Sequence, residues 1–341
     1  MKFRLTALLF CCGIALQAQV IQGVAKDKSN GEAIAYLSLG IEGTRVGTLT
    51  EKSGQFKLTI PDSLRNRKLT LYGLGYDRLD LPLSSFFGRG AQEILMQPLS
   101  TNLDQVTVDR NGSASYIEEE FLTAKRKVMQ RAYRSLSPKN PEHSGTTIAS
   151  RISVTQPHWV VSASVFVAET TTDSLKFRVR IFDIDKETGL PGNDLFQNPA
   201  VHSFAGQKGW VTIGLEDHYL FLDKSEYFLG FELIEEKEER YRVYNARKEY
   251  RTKLKSLNEE GVKGIQPVTL QRNGKEETHY RISLSPKKMK KLGLNPFVFT
   301  TKFEMVKGDN MGVYRSSSFE NWTVSDLGVF RMKLNYEYEG N

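Results

Sequence analysis

The chain has 341 residues, more than one ordinary domain holds and a length that suits two. Hydrophobic residues make up 39% and aromatics 11%, enough apolar surface for true cores, which excludes a globally disordered chain. Its 47 Lys and Arg are interspersed with 40 Asp and Glu, so the net charge of +7 marks no dedicated polycation and lends nucleic-acid binding no support.

Met1-Lys2-Phe3-Arg4 begins the chain with positive charge, an apolar run follows from Leu5 to Leu16, and Gln17-Ala18-Gln19 closes it. This pattern predicts a secretory signal peptide over residues 1–18, cleaved after Ala18. The apolar run is too short for a permanent membrane anchor. Cys11 and Cys12, the only cysteines, both fall inside it, and Phe10 stands where a lipoprotein signal needs a small residue. The mature chain is therefore expected to lack disulfides, thiol nucleophiles and cysteine metal sites, and to rely on its core alone. No later run approaches the roughly 18 apolar residues of a membrane-spanning helix, so no transmembrane segment is expected after cleavage.

From residue 19 to 109 short alternating runs are broken by turns. Leu37, Leu39 and Ile41 alternate with Ser38 and Gly40; Phe56, Leu58 and Ile60 alternate with Gln55, Lys57 and Thr59. Leu69 with Leu71, Leu79 with Leu81, and Val106 with Val108 continue the period of two, which predicts a β-sandwich. Between these runs lies "GTRVGTLTEKSGQF", rich in glycine. A phosphate-binding loop would lead into a helix whose amides meet the anion. Here a strand pattern follows, so the glycines are expected to serve hairpin turns.

Residues 110–145 hold strong helix formers, with Ile117, Phe121, Ala124, Val128 and Ala132 at a spacing of three to four, early glutamates and later basic residues. A short linker helix is expected there. From 146 to 341 strand patterns return: Leu175, Phe177, Val179 and Ile181; Val211, Ile213 and Leu215; Tyr227, Leu229, Phe231 and Leu233; and Phe330, Met332, Leu334, Tyr336 and Tyr338. They predict a larger, jelly-roll-like antiparallel β-sandwich. The charged stretch from Glu235 to Gly264 reads as an exposed hairpin or long insertion, and "SPKKMKKLGLNP" as one helical turn. The fold class is thus all-β, with two sandwiches joined by a short helix.

The order of an opening "IQGVAKD", "GTRVGT", a turn before "GQF", the late "LGYDRL" and the closing "LDQVTV" resembles the carboxypeptidase regulatory-like domain, a transthyretin-like sandwich common in Gram-negative envelope proteins. The resemblance covers about a quarter of the chain. It implies a non-catalytic accessory module, and an exported protein of the periplasm or outer membrane. TonB-dependent receptors share such a first domain, but the remaining residues cannot supply a 22-stranded barrel at about 10 residues per strand plus loops.

Catalytic patterns are absent from the sequence. None of His143, His158, His202, His218 and His279 is followed by glutamate three residues on, and H-E-x-x-H does not occur, so the zinc set of a carboxypeptidase is missing. Neither a G-x-S-x-G elbow nor a P-loop is found. A non-enzyme is expected, with no cofactor; a hydrolase built on an unrecognised carboxylate pair is the alternative from another class. Asp183, Asp185 and Glu187 alternate as calcium ligands do, although the following glycine comes one place late for an EF-hand; the other reading is a β-turn loop. Lys176, Arg178 and Arg180 share one strand face, either as a groove for an anionic ligand or as a solvated face. Trp210, Tyr219, Tyr314 and Trp322 are candidates for a sugar-stacking platform, or for ordinary packing. The expected partner is an envelope protein or glycan.

Overall fold

The computed structural model describes residues 19–73, 75–99, 115–117, 132–136, 144–170, 172–196, 199–206, 208–272, 275–294, 301–306, 310–326 and 328–338. The expected signal peptide, Val106 and Val108 lie outside them. Among the described residues no helix is long and apolar enough to cross a membrane.

The first sandwich is built from β1 (Gln19–Asp27), β2 (Ser38–Gly40), β3 (Gly47–Leu49), β4 (Gln55–Ile60), β5 (Lys68–Gly73), β6 (Tyr76–Pro82) and β7 (Gln92–Met96). One sheet has the order β4-β1-β7, with β1 and β7 parallel; the other runs β3-β2-β5-β6. The period of two puts Phe56, Leu58 and Ile60 inward while Gln55 and Lys57 face water. They pack with Ile21, Leu37, Leu39, Leu69, Leu71 and Met96. Gly54 turns the chain into β4 with φ 73°, and a Cβ there would stand 2.7 Å from the Ala25 carbonyl oxygen, so both conformation and space require glycine. The tyrosine of "LGYDRL" has an equally local reason. Tyr76 donates its hydroxyl to Asp27 Oδ2 at 2.8 Å, while Asp27 Oδ1 accepts from the Ser29 amide, so β6 is pinned to the end of β1.

The second sandwich begins earlier than its expected boundary. β8 (Ser115–Ile117) and β9 (Ala132–Leu136) lie within the stretch expected as a linker helix, and both are strands. Each adds to a sheet of the second sandwich, so tertiary pairing outweighs helix propensity at these residues. Phe121, Ala124 and Val128 of that expected helix lie outside the described residues. There follow β10 (Thr146–Ser153), β11 (His158–Glu169), β12 (Ser174–Ile184), β13 (Pro191–Asp194), β14 (Val201–Ala205), β15 (Gly209–Gly214), β16 (Phe221–Leu222) and β17 (Glu226–Leu233). After an insertion come β20 (Thr301–Val306), β21 (Gly312–Arg315), β22 (Thr323–Val324), β23 (Val329–Phe330) and β24 (Met332–Tyr338).

One sheet runs β13-β12-β17-β10-β21-β22 with β14 against β12; the other runs β23-β20-β11-β24-β8, with β15 and β16 against β11 and β9 against β20. The alternating residues Leu175, Phe177, Val179, Ile181, Tyr227, Leu229, Phe231, Phe330, Met332 and Leu334 meet between them in one core. Of the two expected readings of the charged stretch, an exposed hairpin or a long insertion, the structure shows a long insertion that is helical at its start. It opens with α1 (Lys237–Glu259), then forms the hairpin β18 (Ile265–Arg272) and β19 (Lys275–Ile282), and ends in α2 (Pro286–Lys291). Leu254, Leu257, Ile265 and Leu294 give it a small core of its own. The Ser285 hydroxyl caps α2 by accepting from the Lys288 amide at 3.3 Å.

His158 is fully buried in the main core. Its Nδ1 lies 2.8 Å from the Gln156 carbonyl oxygen and its Nε2 2.8 Å from the Tyr227 hydroxyl. The carbonyl requires Nδ1 to donate, and since burial disfavours the charged ring, Nε2 of the neutral ring accepts from Tyr227. Burial holds its pKa below the ordinary 6.5. As pH falls below about 6.5 the unfolded chain therefore binds the proton first, and stability declines until pH passes the lower folded value. Urea midpoints measured at pH 7.5 and 5.0 are expected to fall less in His158→Phe than in the wild type, and equal falls would refute the assignment.

Candidate functional site: a buried charge cluster and a cleft between the sandwiches

Alternation along β12 sends Phe177, Val179 and Ile181 into the core and Lys176, Arg178 and Arg180 to the opposite face. That face is covered by the first sandwich. Arg178 is 0% and Arg180 1% exposed, which rules out a solvated face and leaves no open anion groove along the strand. Antiparallel register sets Arg178 directly opposite Glu232 of β17. Arg178 Nε donates to Glu232 Oε2 at 2.9 Å, and Arg180 Nη1 lies 3.6 Å from the same oxygen. Glu232 Oε1 accepts from the Ser318 hydroxyl at 2.8 Å. On its other side, Arg180 Nε lies 2.7 Å from Asp194 Oδ2 of β13.

These charges reach across to the first sandwich through Tyr36 and Tyr72. Arg178 Nη1 donates to the Tyr36 carbonyl at 3.0 Å, and the Tyr36 hydroxyl donates to Glu236 at 2.8 Å. Lys176 completes this arrangement by pairing with Glu236 and lying 5.8 Å from the Tyr36 ring centre. Tyr36 holds φ at 60°, a left-handed conformation that its flanking contacts must stabilise. Tyr72 places its ring 5.7 Å from the Arg180 guanidinium and donates its hydroxyl to the Ser318 carbonyl at 3.1 Å.

Apolar contact reinforces the polar one. Phe319, 5% exposed, meets Tyr72 edge-on with ring centres 5.3 Å apart. A Cβ on Gly40 or Gly47 would stand 2.4 or 2.6 Å from Phe319 Cδ2, so the paired strands β2 and β3 present a bare slot to this ring. The glycine-rich stretch therefore does more than turn the chain: Gly47 admits a side chain of the second sandwich. Burying Phe319 contributes about 2 kcal/mol to the contact.

Burial alone would neutralise Glu232, but Arg178 and then Arg180 overcome it and bring its pKa down to about 2. Asp194 is pushed above the usual carboxylate range by burial, against the pull of Arg180. Beside this cluster opens a cleft of about 740 Å³ whose wall includes Tyr72, Arg180, Phe182, Asp194, Arg315 and Trp322. Arg315, at the end of β21, is 8% exposed; its guanidinium lies 4.3 Å from the Trp322 ring centre and 5.5 Å from that of Phe182.

The structure disperses the candidate aromatics. Trp322 borders the cleft. Trp210 lies on the far sheet against Phe166, with Lys333 Nζ 4.6 Å and the Arg331 guanidinium 5.1 Å from its ring centre. Tyr314 packs inward on the main core, and Tyr219 stands 66% exposed at the end of a short turn. They form no common stacking platform, because Tyr314 packs on the main core, Trp322 packs with Phe182 and Ala149 in a separate cluster, and Trp210 belongs to the other sheet. Two of the three expected calcium ligands are taken up by local hydrogen bonds. Asp185 Oδ1 accepts from the Glu187 and Thr188 amides, and Asp183 Oδ1 from the Asn193 amide, so both carboxylates serve the turn. Among the described residues no cluster of three or more His, Asp, Glu or Cys side chains could hold a metal.

Glu232, Asp194, Tyr36, Tyr72, Arg315 and Phe319 were not singled out from sequence. For Glu232 a signal existed: on β17 it breaks the otherwise apolar run "YFLGFEL" on the strand face opposite Leu229 and Phe231.

Residues 21–108 match a family model described as a CarboxypepD_reg-like domain, about a quarter of the chain. None of the curated proteins compared with the chain matches it.

Removing Glu232 would leave two buried guanidinium groups without their shared counter-ion. Glu232→Ala is expected to destabilise the protein by about 3–5 kcal/mol, whereas Glu226→Ala, at an exposed pair with Arg151, should cost about 1 kcal/mol or less in the same urea titration. Gly47→Leu should displace Phe319, detected as a gain in protease sensitivity between the sandwiches; unchanged sensitivity would argue against the slot.

Proposed function

With a carboxypeptidase regulatory-like domain, a non-catalytic module, as its first sandwich, we propose that this chain is a non-enzymatic exported protein of the Gram-negative envelope, acting as a structural or interaction module. The observation that carries the reading is how that module is used. It is docked on the second sandwich through Tyr36, Tyr72 and a buried charge cluster, and the docking creates a cleft that neither sandwich would form alone. A module that shapes a shared cleft fits binding better than an independent tether.

The hydrolase reading gains nothing from this site. Asp194 and Glu232 are bridged by Arg180, and Glu232 is 1% exposed, so it cannot meet a substrate. Both act as counter-ions. The signal pattern in residues 1–18 supports export, as does the envelope setting common for the first domain.

Expression of the full chain in a Gram-negative host, followed by fractionation and mass measurement, is expected to find it in the periplasmic or outer-membrane fraction without residues 1–18. Full-length protein confined to the cytoplasm would overturn export. Turnover of an envelope polysaccharide by the purified protein, lost in a cleft variant, would overturn the non-enzymatic reading.

A further inference from the structure

Charge in the buried cluster beside the cleft does not balance. Three guanidinium groups, Arg178, Arg180 and Arg315, are buried beside two carboxylates, Asp194 and Glu232. Arg178 and Arg180 take up both carboxylates at 2.7–3.6 Å. Arg315 has no carboxylate within 4.0 Å among the described residues, and its buried Nε has no hydrogen-bond acceptor. The Tyr72 hydroxyl interacts with it without bringing a charge, and Glu232, already taken up by Arg178 and Arg180, attracts it only from beyond ion-pair distance. Other acids on the cleft wall are engaged elsewhere: Glu42 pairs with Arg78, Glu320 with Arg45, and Asp185 caps its own turn.

A buried cation without a counter-ion is costly, and a structure retains one where something else supplies the charge. Trp322 and Phe182 hold the Arg315 plane from the sides, which orients the guanidinium for a fork-like partner. From this we propose that the cleft binds a small organic molecule through a single carboxylate, received by Arg315, with the ligand body lying against the wall of Phe182 and Trp322. Within the buried cluster the excess is one positive charge, which a carboxylate matches. A phosphate dianion would add a second negative charge close to Asp194 and Glu232 and be repelled. A volume of about 740 Å³ accommodates a ligand of sugar or aromatic-acid size.

This inference rests on reading the chain as a binding module and names the ligand class of the same cleft. The test uses the purified mature protein and calorimetric titration with glucuronate, benzoate, glucose and inorganic phosphate. Glucuronate or benzoate is expected to bind, more weakly as salt rises, while glucose and phosphate do not. Preference for glucuronate would identify a sugar acid, and preference for benzoate an aromatic one. Arg315→Gln should weaken binding about tenfold or more, and Arg315→Lys, which keeps the charge and loses the fork, by less. Should Arg315→Gln fail to fold by circular dichroism, Asn321→Trp, at an exposed position on the cleft wall, should obstruct entry with the charge cluster intact. Tighter binding of phosphate, no binding of either carboxylate, or affinity unchanged in both the Arg315 and Asn321 variants would overturn the proposal. Such failure would leave export and the non-enzymatic reading standing, since fractionation and turnover report on those separately.

Discussion

Glu232 holds the centre of this molecule. Its two oxygens connect β12 to β17 through Arg178, reach Arg180, and fix the loop at Ser318. Each of those partners touches the first sandwich in turn: Arg178 through the Tyr36 carbonyl, Arg180 through the Tyr72 ring, and Ser318 through the Tyr72 hydroxyl. A carboxylate so deeply buried is tolerated only because two guanidinium groups outweigh its desolvation. Such a cluster adds little net stability compared with an apolar contact of the same size, but it is demanding in geometry. It therefore specifies one docking arrangement rather than a range of them.

Apolar contacts alone would not supply that specificity. Phe319 in the slot over Gly40 and Gly47 adds burial, yet a ring on a flat strand surface can slide. Directional hydrogen bonds from Arg178 and Tyr72 at either side fix its position. The cleft is a consequence of this fixed docking. Its walls come from Tyr72 of β5, Arg180 of β12, Asp194 of β13 and Arg315 of β21, so its shape depends on both sandwiches. The same buried environment that makes the interface exacting leaves Arg315 without an ion-pair partner of its own among the described residues. Docking and recognition thus draw on one electrostatic cluster.

The insertion between β17 and β20 follows a different logic. Its charged sequence suits a solvated surface, and α1 buries only Arg240, Val243, Leu254 and Leu257. Arg240 sits at the first turn, 3.9 Å from Glu51 of the first sandwich, so the start of the helix belongs to the interface. Its later turns serve the small core shared with the hairpin and α2. Charge density along this segment obscured a helix whose apolar positions are few, and for that reason it reads as an exposed hairpin or long insertion in sequence, with no helix marked.

Much of the architecture was legible from local pattern. Period-two alternation in Phe56, Leu58 and Ile60, or in Leu175, Phe177, Val179 and Ile181, marks strands because a pleated strand must turn alternate side chains to the core. The turn glycines and the tyrosine of "LGYDRL" act within one sandwich, so the resemblance they carry also names the first domain correctly. Alternation could also assign Lys176, Arg178 and Arg180 to the face opposite the core. It could not say what covers that face, since a strand's outer side reads alike whether water or a second domain lies over it. Only tertiary structure brought Tyr36, Tyr72 and Phe319 onto it, set Arg315 beside Trp322, and separated the remaining aromatics. Those relations join residues far apart in the chain, 246 positions for Tyr72 and Ser318, and a local pattern holds no record of contacts at that separation.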